Sequence, residues 1–210
     1  GSGKSTLANI IMNLEKADSG TVLLNNKDIT NIKSNKLKEI YKDIQMVFQD
    51  AIGSFNPRFT IEESIMEYVC NLCSTTEADK KHKVDNLLRM VGLSKEYKYR
   101  YPHELSGGQC QRAAIARALS AHPKILVCDE ATSALDVSVQ AQIVELLKEM
   151  QEKMNISYLF ITHDLALVSS FCDRVAVMKN GKIVEVGDAK EVINNPKDEY
   201  TKLLIKSAYF

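Results

Sequence analysis

Along this chain, short apolar runs bounded by polar, turn-forming residues alternate with stretches in which apolar side chains recur every three or four positions. The first pattern predicts strands and the second helices, because side chains alternate across a strand but return to one helix face at that spacing. A helix is predicted from Thr6 to about Leu14, and strands over 21–24 and 44–48. From Ile61 to about Leu119 the pattern is helical, with Val84, Leu87, Leu88 and Val91 on one face and a stop at Gly92. Ile125-Leu126-Val127-Cys128 is apolar throughout, as suits a strand covered on both faces, and Tyr158-Leu159-Phe160-Ile161 repeats the type. Between them Val139, Ile143, Leu146, Leu147, Met150 and Met154 form a helical stripe. Strand, helix and strand with so long a crossover predict a parallel sheet. Val175-Ala176-Val177-Met178 and Lys182-Ile183-Val184-Glu185-Val186 flank Asn180-Gly181, a type I′ hairpin signal that should close the sheet region. Beyond Gly187 the chain is charged and helical in propensity. The fold class predicted is α/β, with a mostly parallel sheet and an inserted helical lobe.

With 210 residues, against a prior of about 150 per domain, the chain fits one sizeable domain carrying such a lobe. The 45% of hydrophobic residues against 26% charged can fill its core, which excludes wholesale disorder. Lys plus Arg and Asp plus Glu both total 27, so the basic footprint that dominates nucleic-acid binding is missing. No run approaches the roughly 18 apolar residues of a membrane span, and the chain does not open on a secretory pattern. Cys70, Cys73, Cys110, Cys128 and Cys172 are odd in number and scattered, which fits free thiols in a reducing compartment. Cys70 and Cys73 form a C-x-x-C without the further ligands a zinc site needs, so helix packing is favoured over metal or redox chemistry.

The chemistry begins at residue 1. Gly1-Ser2-Gly3-Lys4-Ser5-Thr6 is the back half of G-x-x-x-x-G-K-[ST], a loop that normally joins a buried strand to a helix. It offers backbone amides for phosphate oxygens, the Lys4 ammonium for the β- and γ-phosphates of a nucleoside triphosphate, and the Ser5 hydroxyl for magnesium. Such a string also occurs in flexible linkers. Asp129 and Glu130 stand at the C-terminal end of an apolar strand, the edge where ligands bind in open α/β sheets. Asp129 there can hold magnesium, directly or through water, and Glu130 can polarise an attacking water as general base. A solvated acidic pair capping the next helix is the competing reading. His163 ends the next strand and reaches the same edge. Leu105-Ser106-Gly107-Gly108-Gln109 precedes a long helix, whose N-terminal amides and dipole attract an anion, although a capped glycine turn would look the same.

Taken in this order, the pieces resemble the ATP-binding-cassette (ABC) ATPases over essentially the whole chain. The likeness makes Gly1 to Thr6 the Walker A loop, Gln49 the Q-loop glutamine and Leu105-Ser106-Gly107-Gly108-Gln109 the signature. Ile125-Leu126-Val127-Cys128-Asp129-Glu130 becomes the Walker B strand, Ser133-Ala134-Leu135-Asp136 the D-loop and His163 the switch histidine. It implies ATP bound by Gly1, Ser2, Gly3, Lys4, Ser5 and Thr6, and, from a facing second cassette, by Ser106, Gly107, Gly108, Gln109 and Asp136. Mg²⁺ would sit on Ser5, Gln49 and Asp129, and Glu130, His163 and Gln49 would carry catalysis. Expected partners are a second ATPase subunit packed head to tail, transmembrane permease subunits and, indirectly, a solute-binding protein, on the cytoplasmic face of a membrane. The expected division is 1–49 and 123–187 for the nucleotide-binding core, 50–122 for the helical subdomain with the signature, and 188–210 for a C-terminal extension.

Phe55-Asn56-Pro57-Arg58-Phe59-Thr60, Tyr101-Pro102-His103-Glu104, Ala134-Leu135-Asp136-Val137-Ser138-Val139-Gln140-Ala141-Gln142, Asn195-Pro196 and Tyr200-Thr201-Lys202 further resemble the peptide and nickel importer ATPases. Ala51 and Ala131 depart from that pattern where proline is common, and Cys110 replaces a frequent arginine. The function expected is ATP hydrolysis driving uptake of peptides or nickel chelates. The incomplete Walker A loop also gives the expectation of a chain truncated there, lacking the strand before it and an adenine-stacking aromatic, and weak as an ATPase by itself. Competing readings are an ABC-type ATPase acting on nucleic acid or ribosomes, and a non-catalytic cassette fragment. A GTP-binding switch would need Asn-Lys-x-Asp, and Asn26-Lys27-Asp28 is one residue short.

Overall fold

The computed structural model describes residues 2–32, 34–72, 77–133 and 135–208; Gly1, Cys73 and Ala134 lie outside them. In chain order the elements are α1 (Lys4–Ile11), β1 (Leu23–Leu24), β2 (Lys27–Asp28), α2 (Ser34–Asp43) and β3 (Ile44–Val47). A helical stretch follows, with α3 (Ile61–Leu72), α4 (Glu77–Met90), two short 3₁₀ turns and α5 (Gly107–Leu119). Next come β4 (Ile125–Asp129), α6 (Val137–Met154), β5 (Ser157–Ile161) and α7 (Leu165–Phe171). The chain ends in β6 (Arg174–Lys179), β7 (Lys182–Asp188), α8 (Ala189–Asn194) and α9 (Glu199–Ala208).

The predicted parallel sheet is present in the order β3-β4-β5, with Val127 of the central strand paired to Met46 on one side and Leu159 on the other. β4 is covered on both faces, and its period of two divides the core. Leu126 and Cys128 join a cluster with Ile61, Ile65, Leu88 and Ile115 of the helical stretch and Ile143, Leu147 and Met150 of α6. Val127 joins the opposite cluster, with Ala8, Ile40, Ile44 and Met46. Helices on both faces of a parallel strand are what an all-apolar strand requires.

The Asn180-Gly181 turn has φ of 48° and 75°, positive at both positions as type I′ demands. The expectation that this hairpin closes the sheet is corrected: β6 and β7 form their own antiparallel pair. A cleft of about 520 Å³, lined by Leu159, Ile161, Val175 and Ala176 among others, lies between β5 and β6. The sequence pattern also missed β2 and α2. α2 buries Ile40 and is otherwise mostly polar, so it shows too narrow an apolar stripe to be read. No helix among the described residues is long and apolar enough to cross a membrane.

Candidate functional site

α1 begins within the Gly-Lys-Ser run, at Lys4. Gly3 caps it with φ of 86°, a left-handed conformation that favours glycine. A glycine cap has no side chain to offer the first-turn amides, so they remain free for an anion. Lys4 Nζ donates to Ser2 Oγ at 3.2 Å, which holds the ammonium beside the loop. Ser5 Oγ donates to Asp129 Oδ1 at 3.1 Å across 124 positions of sequence. A hydroxyl and a carboxylate that converge in this way are a donor set suited to a hard divalent cation such as magnesium. Thr6, in the same turn, is exposed.

The β4 edge also brings Glu130 and His163 together. The Glu130 amide donates to Ile161 O at 2.9 Å, and the imidazole Nδ1 stands 3.6 Å from Glu130 Oε1. Glu130 has φ of 47°, unusual for a non-glycine residue and costing about 1–3 kcal/mol of strain. The turn is fastened by Ser133, whose amide and hydroxyl both donate to Glu130 O, at 3.0 and 2.9 Å. Gln49, two residues beyond β3, donates through Nε2 to Ser133 Oγ at 3.4 Å. The structure therefore gathers Lys4, Ser5, Asp129, Glu130, His163 and Gln49 at one sheet edge. Gln49 is joined to the turn at Glu130 through Ser133.

The predicted signature loop is a capping box at the start of α5. Ser106 Oγ accepts from the Gln109 amide at 3.3 Å, and Gln109 Oε1 accepts from the Ser106 amide at 2.9 Å. Gln109 Nε2 also donates to Tyr97 OH at 2.8 Å, so its amide braces the loop. Gly107 and Gly108 pack against Leu135 and Val139, where the predicted D-loop leads into α6. Asp136 caps α6, and hydrogen bonds from the Ser138 hydroxyl and the Val139 amide hold its carboxyl below the usual carboxylate range.

A Cβ on Gly108 would lie 2.6 Å from Val139 Cγ1. Gly108→Ala is therefore expected to destabilise the protein by about 1–3 kcal/mol, partly offset by alanine's better helix propensity. Thermal unfolding reads this as a Tm lower by roughly 2–12 °C, recovered when Val139→Ala makes room. An unchanged Tm would contradict the tight packing.

Sequence reasoning gave no role to Tyr97 and named Ser133 and Gln140 only as members of longer runs; all three act through side-chain hydrogen bonds to distant residues. A hydroxyl three residues after the strand-end glutamate was the one available signal.

Residues 1–133 match the family described as ABC transporter. The oligopeptide transport ATP-binding protein OppF of Salmonella typhimurium is 47% identical over 208 residues, covering 99% of this chain and 62% of the relative. The dipeptide transport ATP-binding protein DppF of Lactococcus lactis is 45% identical over 210 residues, covering 99% of this chain and 67% of that protein. Among solved structures, the dimeric post-hydrolysis ATP-binding cassette MJ0796 bound to ADP and Pi superposes with a TM-score of 0.79 at 31% identity, over 90% of this chain and 81% of that one. The cassette cbiO1 of Clostridium perfringens gives a TM-score of 0.81 at 34% identity, over 92% and 76%. A Walker-type loop, a strand-end acidic pair and a capped glycine turn in an ABC cassette fold, with relatives this similar, mean that the chain belongs to the ABC transporter family.

Proposed function

We propose that this protein binds and hydrolyses ATP as the energy-supplying subunit of a peptide importer. The observation that carries the reading is the single sheet edge where Ser5 meets Asp129 and Glu130 meets His163. Lys4 and the α1 amides bind and orient the phosphates, and Ser5 and Asp129 would hold Mg²⁺. When bound, the cation supplies positive charge to the phosphate oxygens. Glu130 Oε accepts a proton from the attacking water, and His163, beside the same oxygen, orients that carboxylate and the phosphate end of the site.

Ser106, Gly107, Gly108 and Gln109 would act on the ATP of a second, head-to-tail cassette, with Asp136 beside them. The MJ0796 cassette, described as dimeric, supports the pairing of two cassettes. Residues 1–49 and 123–187 then serve as the nucleotide core, 50–122 as the helical part that meets a permease at the cytoplasmic face, and 188–210 as an extension. A cleft of about 710 Å³ lined by Tyr41, Phe48, Phe59 and Tyr68 opens beside the Q-loop on that side. The relatives' names favour peptide over nickel.

The test is uptake by vesicles carrying the full transporter with its binding protein, supplied with labelled oligopeptide or with Ni²⁺. ATP-dependent accumulation of peptide is expected. Nickel uptake in its place would overturn the substrate class, and ATP hydrolysis with no uptake of either would overturn the importer reading.

A further inference from the structure

The geometry points to Gln140 as a positioning residue for His163, acting through Asp164; the inference rests on the reading that Glu130 and His163 serve ATP hydrolysis. His163 is a side chain 69% exposed, so little packing holds its ring. Its place 3.6 Å from Glu130 depends on the backbone turn that carries it. That turn is fixed by Asp164. The Asp164 amide donates to Thr162 Oγ1 at 3.0 Å, and its Oδ1 accepts from the amides of Ala166 and Leu167, at 2.9 and 3.2 Å, to cap α7. The second carboxylate oxygen would be free to turn into solvent but for Gln140, whose Nε2 donates to Oδ2 at 3.1 Å.

Gln140 itself stands in the first turn of α6, its amide donating to Asp136 O at 2.9 Å. A continuous run of contacts therefore leads from Asp136 through Gln140 and Asp164 to His163 and Glu130. On the head-to-tail reading Asp136 faces the second cassette, so the run ties the arrival of that cassette to the position of the imidazole. Two discrete states of one hydrogen bond are enough for such coupling, and a loose imidazole costs rate and not ATP affinity.

The test uses a reversal of donor and acceptor. Q140E sets a carboxylate against the Asp164 carboxylate, and like charges at hydrogen-bond distance repel. The Q140E/D164N pair restores one donor and one acceptor, and asparagine still caps a helix. In the full protein assembled as its transporter, Q140E is expected to lower kcat about 10-fold with KM for ATP changed less than about twofold, and the pair to recover to within about threefold of the parent. If Q140E fails to fold, Q140A removes the donor without the repulsion and is expected to show the same split between kcat and KM. Parent-like kcat in Q140E or Q140A, or a double variant no better than Q140E, overturns the inference. E130Q is measured beside them. If E130Q hydrolyses like the parent, the reading of the site fails; if E130Q stalls while Q140E does not slow, the Gln140 inference alone fails.

Discussion

Glu130→Gln retains ATP binding and loses turnover by about 10²–10⁴-fold, the usual contribution of one positioned base. The substitution is nearly isosteric, so the turn fastened by Ser133 and the amide bond to Ile161 O persist. What changes is proton affinity: an amide oxygen still accepts a hydrogen bond but cannot take a proton from water. The site is built to hold a carboxylate at that point, with backbone at φ 47° and an imidazole 3.6 Å from Oε1. Steady-state phosphate release and equilibrium ATP binding, measured on the same preparation, separate the two properties. Turnover within a few-fold of the parent would remove Glu130 from the role of base. A matching loss of ATP affinity would mean that the substitution damaged the nucleotide site instead.

The loops proposed to handle phosphate were the most legible part of the sequence, because that chemistry calls for short runs of particular residues. Gly-Lys-Ser needs neighbours on one turn, and Asp129 and Glu130 need the end of an apolar strand. The strands β3, β4 and β5 were legible for a related reason: each is apolar enough to declare itself, and β4 is buried on both faces. The elements that escaped carry weak local signals. α2 buries few of its side chains, and β2 is two residues long, too short for an alternating pattern. The hairpin was read from its turn, yet its separation from the parallel sheet depends on tertiary placement, which alternation along a strand does not encode. The contacts of Ser133, Gln140 and Tyr97 escaped because their partners lie 84, 24 and 12 positions away. A side-chain hydrogen bond over such distances leaves no periodicity in the chain. The capping box of Ser106 and Gln109 shows the opposite case, since both of its bonds close within three residues and its pattern sits in plain view.

The second large effect concerns the two loops proposed to meet on one ATP across a pair of cassettes. Lys4 opens α1 beside β4, whereas the hydrogen bonds of Ser106 and Gln109 stay within their own loop and with Tyr97, and the glycines between them rest on Leu135 and Val139. On the proposed head-to-tail arrangement, the Lys4 ammonium of one cassette and the α5 N-terminus of the other act on the same phosphates. Lys4→Ala removes the ammonium, and Ser106→Arg fills the signature loop with a long cation; either change in both copies is expected to abolish hydrolysis. The most direct test joins two full cassettes in one polypeptide, so that every dimer has a known composition, and places the same two lesions in two ways. With Lys4→Ala in one copy and Ser106→Arg in the other, a shared site leaves one of two active centres whole, and hydrolysis should persist at about half the parent rate. With both lesions in one copy beside an unaltered one, each shared centre carries a defect, and hydrolysis should be lost. The reverse outcome, activity when one copy is untouched and none when the lesions are divided, would place each active centre within a single chain and contradict the account.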